Sequence, residues 1–166
     1  MLKRLKLIVI AATLSILSAP ATSYANDFFA IADHEPKNEL WLNPGMFSYH
    51  FDRDRSFNSR NLGFGAEYRF SSVASFTMGT YNNSYHESSN YIGAYWQPIL
   101  MGPFKFGAVA GGFNGYSKTN DGGWFPAIVP ALTYEGDRFG VNFLFVPSIP
   151  DKVAGSISVQ FKLKAF

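Results

Sequence analysis

The sequence predicts an all-β fold, an eight-stranded antiparallel up-and-down transmembrane β-barrel, and three observations carry that prediction. Segments of about ten residues in which apolar and polar side chains alternate recur along the chain. The connectors between them alternate between short and long. Phe, Tyr and Trp supply 28 of the 141 residues after position 25 (29 in all, one of them Tyr24), together with many glycines, a mixture that suits short strands better than helices. No apolar run after position 25 approaches the roughly 18 residues that a transmembrane helix needs.

The chain begins MLKRLKLIVIAATLSILSAPATSYA. Lys3, Arg4 and Lys6 precede an apolar run from Leu7 to Leu17, and Ser23-Tyr24-Ala25 supplies a small-x-small cleavage site. This is the pattern of a secretory signal peptide. The expected organisation is residues 1–25 as signal peptide, 26–38 as a short N-terminal periplasmic segment, and 39–166 as the barrel. Of the 14 Lys and Arg in the chain, three lie in the leader; the remaining 11 face 12 Asp and Glu, a net charge of −1. The basicity of the whole chain therefore belongs to the leader, and no nucleic-acid partner is expected. With no cysteine there is neither a disulfide framework nor thiolate chemistry, so a membrane or a closed barrel has to support the small domain.

The first predicted strand runs from Leu40 to Phe51. The second, NLGFGAEYRF, alternates most clearly: Leu62, Phe64, Ala66, Tyr68 and Phe70 share one face, and Gly63, Gly65, Glu67 and Arg69 the other. Further strands are read at Val73 to Asn82, Asn90 to Leu100, Phe104 to Ser117, Phe125 to Glu135, Phe139 to Pro147 and Gly155 to Phe166. Ser71-Ser72, Met101-Gly102-Pro103 and Gly136-Asp137-Arg138 are short connectors. Asp52 to Arg60, Asn83 to Ser89, Lys118 to Trp124 and Ser148 to Ala154 are long. This asymmetry puts the long loops outside the cell and both termini in the periplasm. In the last strand Ile157, Val159, Phe161 and Leu163 are out of phase with the terminal Phe166, a mismatch that a bulge near Ala165 would repair. Alternation by itself leaves open a soluble, lipocalin-like barrel with its apolar face turned inward.

Pro44, Pro126, Pro130 and Pro147 fall inside or at the ends of these strands, where proline removes a ladder donor. They read as strand ends or bulges. In a membrane, where unpaired backbone is expensive, Pro130 and Pro147 on neighbouring strands and Pro44 on the first also read as lateral openings for a lipid chain. His50 ends one upward strand and Ser84 follows another, so both are expected at the outer rim. A serine that attacks an ester needs a base, and histidine is the usual one. TYNNSYHESS, residues 80–89, is otherwise an ordinary polar turn. His34, His86 and Glu87 have no metal-ligand spacing, and no metal or cofactor is expected.

WFPAIVPALTYEGDRFGVNFLFVPS, with Pro130 and Pro147 seventeen residues apart, TYNNSYHESSNYIGAYWQPI and FSYHF together resemble the PagP family, the lipid A palmitoyltransferases of Gram-negative outer membranes. The resemblance covers most of the chain after the leader and is best from Gly79 onward. It implies an eight-stranded barrel with an internal acyl pocket and lateral gates at Pro44, Pro130 and Pro147. It implies transfer of a palmitoyl or shorter chain from a phospholipid donor to lipid A as acceptor, in an outer-membrane monomer inserted by the barrel-assembly machinery. Carried over residue by residue, the family's histidine is His50, its serine is Ser84, and its aspartate falls on Asn83, which is expected to orient the imidazole. The small residue that floors the family's pocket falls on Tyr95, with Gly93 two positions earlier, so a shorter chain is expected. The segment NDFFAIADHEPKN matches the family's N-terminal helix poorly, and Pro36 limits any helix there to a turn or two. A non-enzymatic outer-membrane barrel that binds a lipid or plays a structural role, and a soluble periplasmic lipid carrier, are the alternatives.

Overall fold

The computed structural model of the chain describes residues 28–52, 56–149 and 154–166. The expected signal peptide lies outside the described residues. The strands are β1 (Phe29–Ile31), β2 (Pro36–His50), β3 (Arg60–Ser71), β4 (Ala74–Asn82), β5 (Ser88–Met101), β6 (Phe104–Phe113), β7 (Phe125–Glu135), β8 (Phe139–Val146) and β9 (Ser156–Lys164). Each of β2 to β9 pairs antiparallel with the next, and β9 pairs back onto β2, which closes an eight-stranded barrel. A 3-10 turn, Asn120–Gly122, lies in the loop before β7. Short turns join β3 to β4, β5 to β6 and β7 to β8 at one end, and the long loops gather at the other.

The ninth strand, β1, is one the periodicity did not predict. It pairs with Ile99–Met101 of β5, beyond the point at which β4 ends its own pairing at Trp96. Ala32 then donates to the Pro98 carbonyl at 2.8 Å, and Ser72 N–H donates to the Glu35 carbonyl at 2.8 Å. The residues around Pro36 are thus extended along the short-turn end, and among the described residues this segment forms no turn of helix. The last strand resolves its phase as anticipated: Ala165 N–H donates to the Leu40 carbonyl and Leu40 N–H donates to Phe166, so two residues oppose one. Phe166 is exposed, as is Leu163.

The faces of the barrel are inverted relative to a soluble one. Phe64, Met78, Ile92, Trp96, Ile128 and Phe161 are all more than half exposed on the outside. Glu67, Arg69, Gln97, Thr133, Asn142 and Lys162 are buried in the interior. An eight-stranded lumen is just wide enough for side chains to fill, and here polar ones fill its short-turn half. Glu67 takes Arg69 Nη2 at 2.9 Å and Lys162 Nζ at 2.8 Å; Glu135 takes Arg69, Lys162 and Lys105 at 2.6 to 2.8 Å. Gln97 donates to Thr133 Oγ1, which donates to Asn142 Oδ1, each at 2.8 Å. Glu67, Arg69, Glu135 and Lys162 each have a partner of opposite sign, which is the condition for burying a charge at all.

Candidate functional site

Among the described residues, ladder is missing over several consecutive residues at Pro130 and at Pro44. β7 pairs with β6 along its whole length but with β8 only from Ala131 onward, so Phe125 to Pro130 face Phe145 and Val146 with no pairing. Between β2 and β9 the register jumps from Leu42 to Phe47, leaving Asn43, Pro44, Gly45 and Met46 without partners in β9. Pro44 and Pro130 lack the N–H that would continue these ladders, and Gly45 takes φ 97°, a left-handed conformation that suits glycine. Pro147 directly follows β8, beside the first gap. The three prolines are exposed on the barrel wall.

A cavity of about 160 Å³ fills the long-loop half of the lumen. Val109, Phe113, Ala127, Val129, Leu144 and Val146, from β6, β7 and β8, make one wall, and Ser48, Asn61, Ser156 and Ser158, from β2, β3 and β9, make the other. Tyr95 packs against Val109, Val129 and Ala131 and is 4 % exposed, so its ring stands between the cavity and the charged layer. Its hydroxyl accepts Asn142 Nδ2 at 3.4 Å. Gly93, on the same strand, leaves no room for a side chain, because an added Cβ would lie 2.8 Å from the Ala110 carbonyl oxygen. Gly93 therefore serves close strand packing, and Tyr95 does not itself line the cavity but lies behind Val109 and Val129, which do.

Ser84 lines the mouth of this cavity, and its Oγ shares a 2.8 Å hydrogen bond with His50 Nε2. His50 is the last residue of β2 and Ser84 the second after β4, so the closed barrel brings together two residues 34 apart in sequence. The imidazole stacks on Phe57 at 4.8 Å, and Phe57 meets Tyr85 edge-on at 5.6 Å. Asn58 N–H donates to the Ser84 carbonyl at 2.9 Å, tying the first long loop to the second. The second loop is also tied to the third: Ser117 N–H donates to Glu87 Oε2 at 3.0 Å, and this bond holds the Glu87 carboxyl below its ordinary range.

Asn83 is fully buried beside Ser84, yet its side chain does not reach His50. Its Oδ1 accepts the N–H groups of Tyr85 and Glu87 at 2.8 and 3.1 Å. Its Nδ2 donates to Ser89 Oγ at 2.9 Å and to the Gly115 carbonyl at 2.8 Å. The first of these bonds makes an Asx-turn, and the set leaves the amide no spare atom. His50 Nδ1, for its part, is buried with no hydrogen-bond partner among the described residues. Asp54 lies outside them, and Glu87 is engaged with the third loop. No family model matches the chain, and no characterised protein matches it in sequence.

The contact set thus contains a hydroxyl and an imidazole in proton-transfer geometry, above a cavity with one apolar wall, and among the described residues nothing accepts a hydrogen bond from Nδ1 of the ring. For Ser84 to donate to Nε2, the imidazole must carry its proton on Nδ1. Among the described residues no three His, Asp or Glu side chains are grouped to hold a metal ion. Sequence reasoning passed over Phe57, Tyr85 and Asn61. Asn61 was accessible to it, since position 61 shares the inward phase of Glu67 and Arg69.

Proposed function

We propose that the chain is a PagP-like outer-membrane acyltransferase that moves an acyl chain from a phospholipid to lipid A. The observation that carries this reading is the 2.8 Å hydrogen bond between His50 Nε2 and Ser84 Oγ at the mouth of the cavity. The apolar outer surface supports residence in a bilayer, because a contiguous exposed belt of this kind is not tolerated in water. The unpaired backbone at Pro44, and at Pro130 and Pro147, supports lateral entry of lipid into the lumen.

In this reading His50 Nε2 takes the Ser84 proton as Oγ attacks the ester carbonyl of the donor. The carbonyl–oxygen bond to the lysophospholipid breaks, and the departing oxygen takes the proton from His50. A hydroxyl of lipid A then attacks the acyl-serine, with its proton passing through His50 to Ser84. No outside oxidant or reductant is needed. Ser84→Ala and His50→Ala are each expected to abolish the extra acyl chain in the mass spectrum of lipid A from cells expressing the gene. Lipid A unchanged under strong expression of the intact protein overturns the transfer.

An apolar cavity of about 150 Å³ holds a benzene molecule, so a cavity of this size takes the end of a short chain rather than a whole palmitoyl group. Tyr95→Ala is expected to admit chains longer by about two to four carbons, read as the mass added to lipid A, at a loss of about 3 kcal/mol of stability. Unaltered chain length in a folded Tyr95→Ala barrel removes Tyr95 from the floor of the acyl site.

The bare Nδ1 of His50 favours a second reading, a lipid-binding barrel without transfer. A Ser-His pair with no carboxylate bonded to the imidazole among the described residues has no neighbouring charge there with which to stabilise imidazolium. Retained lipid in the purified protein, together with unmodified lipid A, would select that reading.

A further inference from the structure

We propose that Phe57 is the positioning residue of the Ser84–His50 pair, holding the imidazole plane and stabilising the imidazolium through the face of its ring. The inference deepens the reading above and rests on it for His50 as a base, but not for the donor or the acceptor. A histidine base ordinarily has a second group bonded to its far nitrogen, which fixes the ring and favours its charged form. His50 Nδ1 is buried with no hydrogen-bond partner among the described residues. The 2.8 Å bond between Nε2 and Ser84 Oγ anchors one corner of the ring and leaves it free to swing about that point. Phe57 removes this freedom: the two flat rings stack at 4.8 Å with 30° between their planes, which sets the plane of the imidazole.

Phe57 is itself held. Its neighbour Asn58 donates from N–H to the Ser84 carbonyl at 2.9 Å and from Nδ2 to the Asn83 carbonyl at 3.1 Å, so the loop carrying the ring is tied to the loop carrying the serine. Tyr85, from that second loop, meets the ring edge-on at 5.6 Å. Once His50 has taken the Ser84 proton, the centre of the cation lies 4.8 Å from the Phe57 centroid, inside the roughly 6 Å over which an aromatic face attracts a cation. A neutral imidazole also stacks, but it lacks the attraction of charge to the ring quadrupole. Phe57 therefore favours the form that exists only after proton transfer. The residue opposite His50 on β9 is Ser156, which is uncharged. The titratable described side chains of the two adjoining loops are Asp52, Tyr85, His86 and Glu87, with Arg60 at the start of β3, and none of them bonds to Nδ1. Packing alone predicts the opposite sign, because an apolar cover disfavours a charge and its removal eases protonation.

The test follows the titration of the His50 ring by the chemical shifts of labelled histidine, in the intact protein in detergent micelles, with the His50 signal assigned from a His50→Gln sample. Phe57→Leu keeps an apolar cover but has no aromatic face. It is expected to lower the proton affinity of His50 by about two- to thirtyfold, so that the ring titrates at lower pH. Phe57→Trp, whose face attracts cations more strongly, is expected to titrate at higher pH than the unaltered protein. Any order other than leucine below phenylalanine below tryptophan overturns the proposal and leaves Phe57 as packing. If the leucine variant does not fold, a tryptophan variant that titrates no higher than the unaltered protein overturns it alone. Lipid A mass spectrometry separates this inference from the transfer. The expected order with unmodified lipid A sinks the transfer alone, and acylation without that order sinks this inference alone.

Discussion

Glu67→Ala is expected to lower the unfolding free energy of the barrel by about 3–5 kcal/mol, the usual loss when one partner of a buried ion pair is removed. Glu67 is 1 % exposed and accepts four hydrogen bonds: from Arg69 and Ser75 at one oxygen, and from Lys162 and Asn142 at the other. Its removal leaves Arg69, Lys162 and Lys105 with Glu135 as the one remaining carboxylate of the cluster. The loss is mostly that of uncompensated charge, so a second substitution that removes a cation should return part of it. Glu67→Ala combined with Lys162→Met is therefore expected to be more stable than Glu67→Ala alone, although it carries more changes. Urea unfolding in lipid vesicles, read by the loss of heat-resistant gel mobility, measures both. If the double variant falls by the sum of the single losses, the cluster is not an electrostatic unit.

This layer also marks where the sequence stopped being legible. The strands β3 to β5 and β7 to β9 were readable because one face of each is apolar and the period of two needs no partner to be seen. The bulge at Ala165 was readable for the same reason, since a phase error in a period of two can be repaired in few ways. Arg69 and Glu67 could be put on one face, but that Glu135 and Lys162 meet them follows only from closure, which joins residues 66 and 95 positions apart. β1 was missed because three exposed residues have no periodicity of their own; they become a strand where β4 leaves the edge of β5 open. His50 and Ser84 were found because each stands at a strand end on the same rim. The role of Asn83 was hidden, because its partners Ser89, at the start of β5, and Gly115, in the loop after β6, have no pattern that links them to it in sequence.

That last residue decides how the Ser-His pair should be understood, and Asn83→Asp is the substitution that tests it. If position 83 orients His50, the carboxylate should speed acyl transfer by stabilising imidazolium. The hydrogen bonds imply the reverse. One carboxylate oxygen could keep the N–H groups of Tyr85 and Glu87, but the other would face the Gly115 carbonyl oxygen from the position where Nδ2 now donates at 2.8 Å. Two acceptors would then confront each other in a fully buried site, at a loss of about 1–3 kcal/mol, more if the acid stays charged. The loop that holds Ser84 would shift, and transfer or lipid binding is expected to fall. The pH dependence separates this structural role from a catalytic one. Burial against a carbonyl raises the folded pKa of the new acid above its unfolded value, near 3.9, because only the protonated form can donate to Gly115. The defect should therefore be complete above the raised pKa and shrink as pH falls toward the unfolded value. Wild-type Asn83 has no such titration, so the stability difference between the two proteins should narrow in acid. A gain in transfer at neutral pH, with stability unchanged, would show instead that the amide is a weakened catalytic carboxylate and that the loop tolerates the original.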